Sequence, residues 1–510
     1  MLRAAILFAC AAPFTAHAAD WIAIESPHFE LLANAPEGAA RKTLVTFERA
    51  RDFFLREQPL LAGSPPRVVI IGFAAYDDYK RYSSKSGDLA YYLRNPRSEY
   101  IVISDLGLDR MRIALHEYLH LLVSHSHLNV PLWLNEGMAE VYSTLTERDG
   151  KLVLGEMKRD RVEQLGEGNW MHLPQLLRVD ENSPGYNEED LEGMFYAESC
   201  LLTHMLMLGD GYSAKFSTLL ERISAAGSSQ SALNEVYGKP TADIERDLRL
   251  YFAQKVRGGA VYRGAPAQVE IGDAHPASPL KVGVTLAGLT LALGREGEAK
   301  AKLHDLASQY PQSAEVEAAL GAVDEARDQR DSALAHYRAA VALNSGGWEV
   351  YWNYARLLDE MGGDLDPRIR ALSDAVERKP DFADARLRLT SALCTAARFS
   401  EALARLQQAP AIDPEHAVGM YAEMSLASYG LKQSADALRY GEQARAAAHT
   451  PEEKSAVAAL YAVIQPKARG GTSTDTRAPV DDPDRPTLRR KSPPPPPKKG
   501  GNGGDAGLLL

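Results

Sequence analysis

Cysteine is scarce in this chain, with three among 510 residues. Only Cys200 and Cys394 lie beyond the N-terminal segment, far apart in the sequence, so no disulfide framework is expected. A surplus of basic residues is also missing, because the formal net charge is −11, and this excludes bulk binding to nucleic acid. After residue 18 no window approaches the roughly 18 apolar residues of a membrane span, so the mature chain is expected to lack a transmembrane segment.

The chain begins with a short apolar stretch typical of export signals. Arg3 precedes AAILFACAAPF, and TAHA supplies an A-x-A cleavage site after Ala18. Residues 1–18 are therefore predicted to be a signal peptide, since the stretch is too short to span a bilayer. A lipoprotein motif around Cys10 is disfavoured because Phe8 is large where a small residue is required. We expect an exported protein, either periplasmic or secreted.

Residues 19–107 alternate between strand-like and helix-like patterns. Three short runs predict strands, namely HFELLAN, RVVIIGF and EYIVIS. The segment AARKTLVTFERARDFFLRE, between the first two runs, has the spacing of an amphipathic helix. This part of the chain is predicted to form a small α/β sheet.

Residues 108–262 carry almost wholly helical periodicity, which predicts a helical second part of the same domain. Its last segment, TADIERDLRLYFAQKV, begins with a threonine that can cap a helix. Between Thr146 and Asp190 the chain is polar and rich in turn residues, and we expect a long loop there. Residues 19–262 are thus predicted to form one domain, and the Gly/Pro/Ala-rich residues 263–278 a linker.

Residues 279–464 repeat with a regular period. Four dipeptides that close successive segments are spaced by 34, 35 and 34 residues: Tyr310-Pro311, Asn344-Ser345, Lys379-Pro380 and Asp413-Pro414. Each segment holds two short helices rich in alanine and leucine. This pattern resembles tetratricopeptide repeats, which implies an all-α solenoid that binds protein partners. The final residues, 465–510, are rich in proline and glycine and are predicted to be a disordered tail.

The motif HEYLH offers metal-binding chemistry. Its histidines, His116 and His120, are four residues apart, so on a helix both project from one face, as two ligands of one Zn²⁺ require. Glu117 lies beside them, where its carboxylate can accept a proton from a metal-bound water without binding the metal. A tetrahedral catalytic zinc still needs a third protein ligand.

Two patterns could supply the third ligand. The metzincin pattern H-E-x-x-H-x-x-G-x-x-H continues with a glycine and a histidine, but Val123 and Ser126 stand at those positions here. The second source is the segment LWLNEGMAE, which offers Glu136 as ligand and Glu140 one turn later on the same face. Glu140 is expected to accept the outer N–H of a ligand histidine. The alternative, a solvated acidic helix face, is disfavoured by the apolar residues around this pair.

Together, HEYLH and WLNEGMAE resemble the gluzincin metallopeptidases, in which H-E-x-x-H is completed by a glutamate in an N-E-G-x-A segment. With the preceding sheet and the later FYAESCLLTHMLML, residues 20–255 resemble the peptidase MA-like group. The resemblance implies an α+β zincin-like domain with one Zn²⁺ per chain, held by His116, His120 and Glu136. It also implies that Glu117 is the general base for peptide-bond hydrolysis. No G-x-M-x-N exopeptidase motif precedes HEYLH, so endopeptidase activity is favoured.

Three further residues invite assignment. Such an enzyme needs a donor to the tetrahedral oxyanion, and Tyr196 in FYAES is the candidate, with a core-packing tyrosine as the alternative. His125 and His127 follow the motif, and His127 lies about 10 Å further along the helix axis than His120. Both are predicted to be surface or loop residues at the end of the helix.

Two functions are compatible with this organisation. The first is an exported zinc endopeptidase whose repeats recruit protein substrates or partners. The second is an envelope scaffold whose peptidase-like domain is structural or nearly inactive, since repeats and tail make up nearly half of the mature chain. Unimpaired function of a Glu117→Gln variant in cells would favour the second.

Overall fold

The computed structural model describes residues 21–465, except for 64–66, 84–88, 95–97, 127, 184–188, 255–258, 263–266, 409–411 and 413–414. The chain divides into two compact units, the first ending at Gly294 and the second beginning at Arg295. The predicted signal peptide and nearly all of the predicted tail lie outside the described residues. Within those residues, no helix has the length and apolar character to cross a membrane.

The first unit contains a six-stranded sheet with the order β4-β5-β3-β2-β1-β9. Its strands are β1 (Ile22–Glu25), β2 (Phe29–Ala33), β3 (Val68–Gly72), β4 (Ala90–Arg94), β5 (Glu99–Ile103) and β9 (His275–Pro276). The central strands β2, β3 and β5 run parallel, whereas β1, β4 and β9 pair antiparallel with their neighbours. The three parallel strands are those that the apolar runs predict.

The strands β1, β4 and β9 add to the predicted sheet. β9 lies within residues 263–278, where the composition predicts a linker, and its His275 pairs with Ala23 of β1. With four residues in β1 and two in β9, neither strand is long enough to show a periodicity. Pairing with a distant part of the chain therefore determines these strands more than local preference does.

Successive residues of β5 pack into two different cores. Ile101 lies in the main cluster, together with buried residues of helix α1 (Glu37–Glu57). Val102 points to the opposite face, where it packs with Leu289 of helix α11 (Pro279–Ala292). The repeat period assigns α11 to the solenoid, but the helix covers one face of this sheet and belongs to the first unit.

Helices dominate the rest of the first unit. They are α2 (Tyr76–Tyr79), α3 (Leu108–His125), α4 (Leu132–Tyr142), α5 (Arg159–Gly166), α6 (Leu173–Leu176), α7 (Glu189–Leu208), α8 (Phe216–Ala226), α9 (Ser229–Tyr237) and α10 (Thr241–Ala253). Among them stands a small antiparallel sheet of β6 (Thr146–Arg148), β7 (Lys151–Leu154) and β8 (Ala260–Tyr262).

The region between residues 146 and 190 differs from the predicted long loop, because it begins with the hairpin of β6 and β7 and continues with α5 and α6. The hairpin turns at Asp149 and Gly150, which both have positive φ angles, of 51° and 70°. An Asp-Gly pair with this backbone is a strong hairpin signal, so the sequence does contain the information for this turn.

The second unit is an array of helix pairs. Its helices are α12 (Glu296–Gln309), α13 (Ala314–Ala326), α14 (Arg330–Ala342), α15 (Trp348–Glu360), α16 (Leu365–Arg378), α17 (Ala383–Thr395), α18 (Phe399–Gln407), α19 (Ala417–Gly430), α20 (Ser434–Ala447) and α21 (Pro451–Ile464). Four of the loops contain a residue with positive φ at a spacing of 34 or 35 residues: Asp328, Gly362, Ala397 and Lys432. The same tight turn therefore recurs with the predicted period.

Candidate metal centre

Helix α3 carries both histidines of HEYLH on one face. The ring centres of His116 and His120 are 4.7 Å apart. Both imidazoles are shielded from solvent, with side-chain exposures of 13% and 6%. Leu115 and Leu119 of the same helix are buried in the main core and hold the helix in place.

Helix α4 brings a carboxylate to the same point. It begins directly after Pro131, and its Glu136 side chain is fully buried. The Oε2 atom of Glu136 lies 3.3 Å from Nε2 of His116 and 3.6 Å from Nε2 of His120. The structure thus brings the three predicted ligands together, with one ligand atom of each within 4.8 Å of the others.

These three side chains fit a divalent cation. Both carboxylate oxygens of Glu136 and Nε2 of His120 are buried without a hydrogen-bond partner among the described residues. A buried polar atom without a partner is costly, and a buried carboxylate especially so. Two imidazole nitrogens and one glutamate form a donor set found in catalytic zinc sites, which keep a further position open.

The charges in this cluster favour a cation beside Glu136. Burial alone would raise the pKa of Glu136, but the neighbouring imidazoles of His120 and His116 lower it to about 2. Burial alone would lower the pKa of His120, but the Glu136 carboxylate raises it to about 9. At neutral pH the carboxylate is therefore ionised, and either a proton or a metal ion can balance its charge.

Asn135 orients one of the candidate ligands, a contact that the sequence alone did not assign. Its Oδ1 atom lies 3.1 Å from Nδ1 of His120. An amide oxygen at this distance accepts the proton of Nδ1, which leaves the lone pair of Nε2 free for a metal. The signal was present in the sequence, because Asn135 directly precedes Glu136 on the helix that approaches α3.

Glu117 is buried beside the ligands, with 5% of its surface exposed. Its Oε2 atom accepts a hydrogen bond of 3.1 Å from the backbone N–H of Tyr92 on β4. Burial raises the pKa of Glu117 above its usual value, although the nearby imidazoles and this N–H act in the opposite direction. A carboxylate with a raised pKa is a stronger base than an exposed glutamate.

Glu140 differs from its predicted role as acceptor for a ligand histidine. Its two oxygens bind Arg161 at 2.9 Å and Lys158 at 3.1 Å. Burial alone would raise the pKa of Glu140, but Lys158 and Arg161 lower it to about 2. Both cations come from the segment that the sequence predicts to be a loop, so their approach to Glu140 was not foreseeable from local pattern.

Tyr196 lies half-buried on α7, next to a cation that binds Glu140. The guanidinium carbon of Arg161, the residue that binds Glu140, lies 5.3 Å from the centre of the Tyr196 ring. The ring centre of the neighbouring Phe195 lies 5.6 Å from that of Tyr196. The assignment of Tyr196 as oxyanion donor stays a prediction.

His125 is not the surface residue that its position at the helix end predicts. It is the last residue of α3, its side chain is 14% exposed, and its Nε2 atom lies 3.0 Å from Oε1 of the buried Glu99. The backbone of His125 is also covered by Gly63, where a Cβ atom would lie 2.7 Å from the His125 carbonyl carbon. His127 lies outside the described residues.

Gly137 allows α4 to approach α7 closely. A Cβ atom at this position would lie 2.9 Å from the Cβ atom of Thr203 and would also overlap the Ser199 carbonyl. A side chain here would therefore push apart two helices, one of which carries Glu136 in the preceding position. The glycine of the N-E-G-x-A segment thus has a packing reason to be glycine.

The second unit matches known repeats. A family model for the tetratricopeptide repeat matches residues 369–422. The chain therefore contains tetratricopeptide repeats, a class of helical repeat that presents an extended surface to other proteins.

Solved repeat structures are similar to about a third of the chain. YrrB, a TPR protein with an unusual peptide-binding site, is 15% identical with a TM-score of 0.30 and covers 34% of this chain and 88% of its own. MamA is 18% identical with a TM-score of 0.28, covering 33% and 91%. The pilF protein of Pseudomonas aeruginosa is 19% identical with a TM-score of 0.28, covering 36% and 83%. None of the curated proteins compared with the chain matches it.

Proposed function

We propose that this chain is an exported zinc metallopeptidase that cuts peptide bonds within proteins, and that its repeats recruit substrates or partners. One observation carries the proposal. The ligand atoms of His116, His120 and Glu136 converge within 4.8 Å in a buried site. The resemblance of HEYLH and WLNEGMAE to the gluzincin motif pair supports the same reaction.

The chain's own residues divide the chemistry between them. A zinc ion held by this cluster would supply a Lewis acid and a water that loses its proton near neutral pH. Glu117 is the proposed acceptor of that proton, a role supported by its position outside the three candidate ligands and by the burial that raises its pKa. Asn135 keeps His120 in the tautomer that presents Nε2 to the metal.

The N-terminal segment and the repeats support the other two elements of the proposal, namely export and the recruitment of protein partners. The apolar N-terminal stretch with its A-x-A site supports export to the periplasm or the exterior. The repeats, matched over residues 369–422, support the proposed binding of protein partners.

Digestion of casein or a peptide library by the full mature chain tests the proposal. Wild type is expected to make internal cuts that mass spectrometry maps, and Glu117→Gln is expected to lower kcat about 10²- to 10⁴-fold. The matched control is Glu235→Gln, an exposed glutamate paired with Arg222, which should cut at the wild-type rate. Proteolysis that survives Glu117→Gln would contradict the proposal. A wild-type chain that binds zinc and cuts nothing would favour the scaffold function.

A further inference from the structure

A charged network centred on the buried Glu99 reaches the last residue of helix α3, and it includes none of the three candidate metal ligands. Glu99, the first residue of β5, has a side chain that is 3% exposed. One of its oxygens lies 3.0 Å from Nε2 of His125 and 3.2 Å from Nε of Arg94. The other oxygen accepts a hydrogen bond from the hydroxyl of Tyr92. Three partners therefore meet at one buried carboxylate.

Tyr92 links this network to the proposed general base. Its hydroxyl binds Glu99, and its backbone N–H donates to Oε2 of Glu117 at 3.1 Å. Glu117 and His125 lie on the same helix, α3, and Tyr92 lies on β4. The strand is consequently joined to the helix at two points, directly at Glu117 and through Glu99 at His125.

The position of β4 explains why a second attachment matters. β4 is an edge strand of the described sheet and pairs only with β5, with Tyr92 opposite Ile101. An edge strand has ladder hydrogen bonds on one side only, so its other side is held by whatever packs there. A buried ionic group need not add net stability, and one attested use of such a group is to specify a single arrangement.

We propose that Glu99 is a positioning residue: with His125 and Tyr92 it fixes β4 against α3, so that the Tyr92 N–H holds the Glu117 carboxylate in one orientation. This inference rests on the proposed function, because it assigns a purpose to the placement of Glu117. Among the described residues Glu99 has no hydrogen bond to His116, His120 or Glu136, and it acts through the strand.

Two variants of the full chain test the inference. Glu99→Gln removes the charge that His125 and Arg94 bind, and Tyr92→Phe removes the hydroxyl but keeps the backbone N–H. Each is expected to lower kcat on a casein-derived peptide about 10-fold, with KM within about twofold of wild type, because a misaligned base slows the chemical step and leaves binding intact. Zinc content is expected to stay at the wild-type level. If Glu99→Gln does not fold, Tyr92→Phe alone tests the inference.

The matched control is Glu48→Gln, which removes another buried carboxylate of the same unit that pairs with a histidine, the more exposed His28 at 2.7 Å. It has no hydrogen bond to Tyr92 among the described residues and is expected to keep the wild-type kcat. A loss of kcat in Glu48→Gln equal to that in Glu99→Gln would overturn the inference, since any lost pair would then have the same effect.

Amide hydrogen exchange at Tyr92 tests the positioning without catalysis. In Glu117→Ala the Tyr92 N–H loses its carboxylate acceptor, so the exchange rate in that variant is the limit for an N–H that Glu117 does not hold. Glu99→Gln and Tyr92→Phe are expected to move the rate from the wild-type value towards that limit, and Glu48→Gln is not. An unchanged rate in both variants would overturn the inference. If wild type holds zinc but cuts no peptide, the proposed function fails, and the exchange rates alone still decide whether Glu99 holds Glu117.

Discussion

The Oδ1 atom of Asn135 lies 3.1 Å from Nδ1 of His120, across the contact between the helix that carries two candidate ligands and the helix that carries the third. Asn135 stands next to Glu136 in the sequence, so one short stretch of α4 supplies one candidate ligand and contacts another. The candidate metal centre would therefore depend on how α3 and α4 pack as well as on the three candidate ligands.

Loss of the Asn135 amide is expected to weaken zinc binding without abolishing it. Asn135→Ala should raise the dissociation constant about 10- to 100-fold, the usual effect of losing a group that orients a ligand histidine. Competition with a chromophoric chelator measures this constant. Asn129→Ala is the control, because Asn129 is exposed and lies outside the site. Equal affinities for Asn135→Ala and wild type would contradict the orienting role.

Glu140 is expected to stabilise the fold in a pH-dependent manner. Its pKa is lowered from 4.5 to about 2 by Lys158 and Arg161, against the effect of burial. A lowered pKa means that the stabilisation is present above pH 4.5 and is lost as the pH falls towards 2. We expect Glu140→Gln to reduce the free energy of unfolding by about 2–4 kcal/mol at pH 7 and by less at pH 3. Urea unfolding at both pH values measures the difference, and equal losses would contradict the ion pairing.

Glu423 in the repeats has the opposite pH dependence. Burial raises its pKa from 4.5 to about 7, although Ser391 and Cys394 counteract part of this effect. A raised carboxyl pKa makes the ionised form costly, so the stability of the second unit should fall as the pH rises from 4.5 through 7. Glu423→Gln is expected to add about 1–3 kcal/mol at pH 8 and little at pH 4.5.

Scanning calorimetry of the full chain at the two pH values tests this expectation for Glu423. The control is Glu377→Gln, since the Glu377 side chain is 61% exposed and should show no such dependence. A Glu423→Gln variant that is no more stable than wild type at pH 8 would show that the buried carboxyl carries no penalty.

Gly362 tests the turn that recurs in the repeats. Its φ angle is 68°, and a Cβ atom there would meet nothing within 4 Å, so any cost of a side chain comes from the backbone alone. Gly362→Ala is expected to lower the free energy of unfolding by about 1 kcal/mol. Gly346→Ala is the matched control, because that site is equally open and its φ is not in the left-handed region. Similar unfolding free energies for both variants would contradict the backbone argument.

The three candidate ligands were predictable because their geometry is local. The spacing of His116 and His120 places both on one face of any helix, and Glu136 follows a helix restart after Pro131. The three parallel strands were likewise visible as apolar runs. These features need only the helical or strand period and no knowledge of distant contacts.

The partners of these residues needed the tertiary structure. Tyr92 reaches Glu117 because an edge strand lies beside α3, and Lys158 and Arg161 reach Glu140 from a segment whose polar composition predicts a loop. Composition describes exposure on average, and it does not reveal which charged side chain turns inward to a buried carboxylate.

The boundary of the first unit also depended on distant contacts. The repeat period continues back through α11 (Pro279–Ala292), but that helix packs on the sheet through Leu289, and the unit ends at Gly294 instead of residue 262. The helical period is the same whether a helix packs on a sheet or on another repeat. Only the packing distinguishes the two.

The most direct measurement of the central claim is the zinc content of the intact mature chain by native mass spectrometry. Wild type and Glu117→Gln are both expected to hold one zinc ion per chain, and a His120→Ala, Glu136→Gln double variant is expected to hold none. Absence of zinc from the wild-type chain, or its retention in the double variant, would contradict a metal centre at His116, His120 and Glu136.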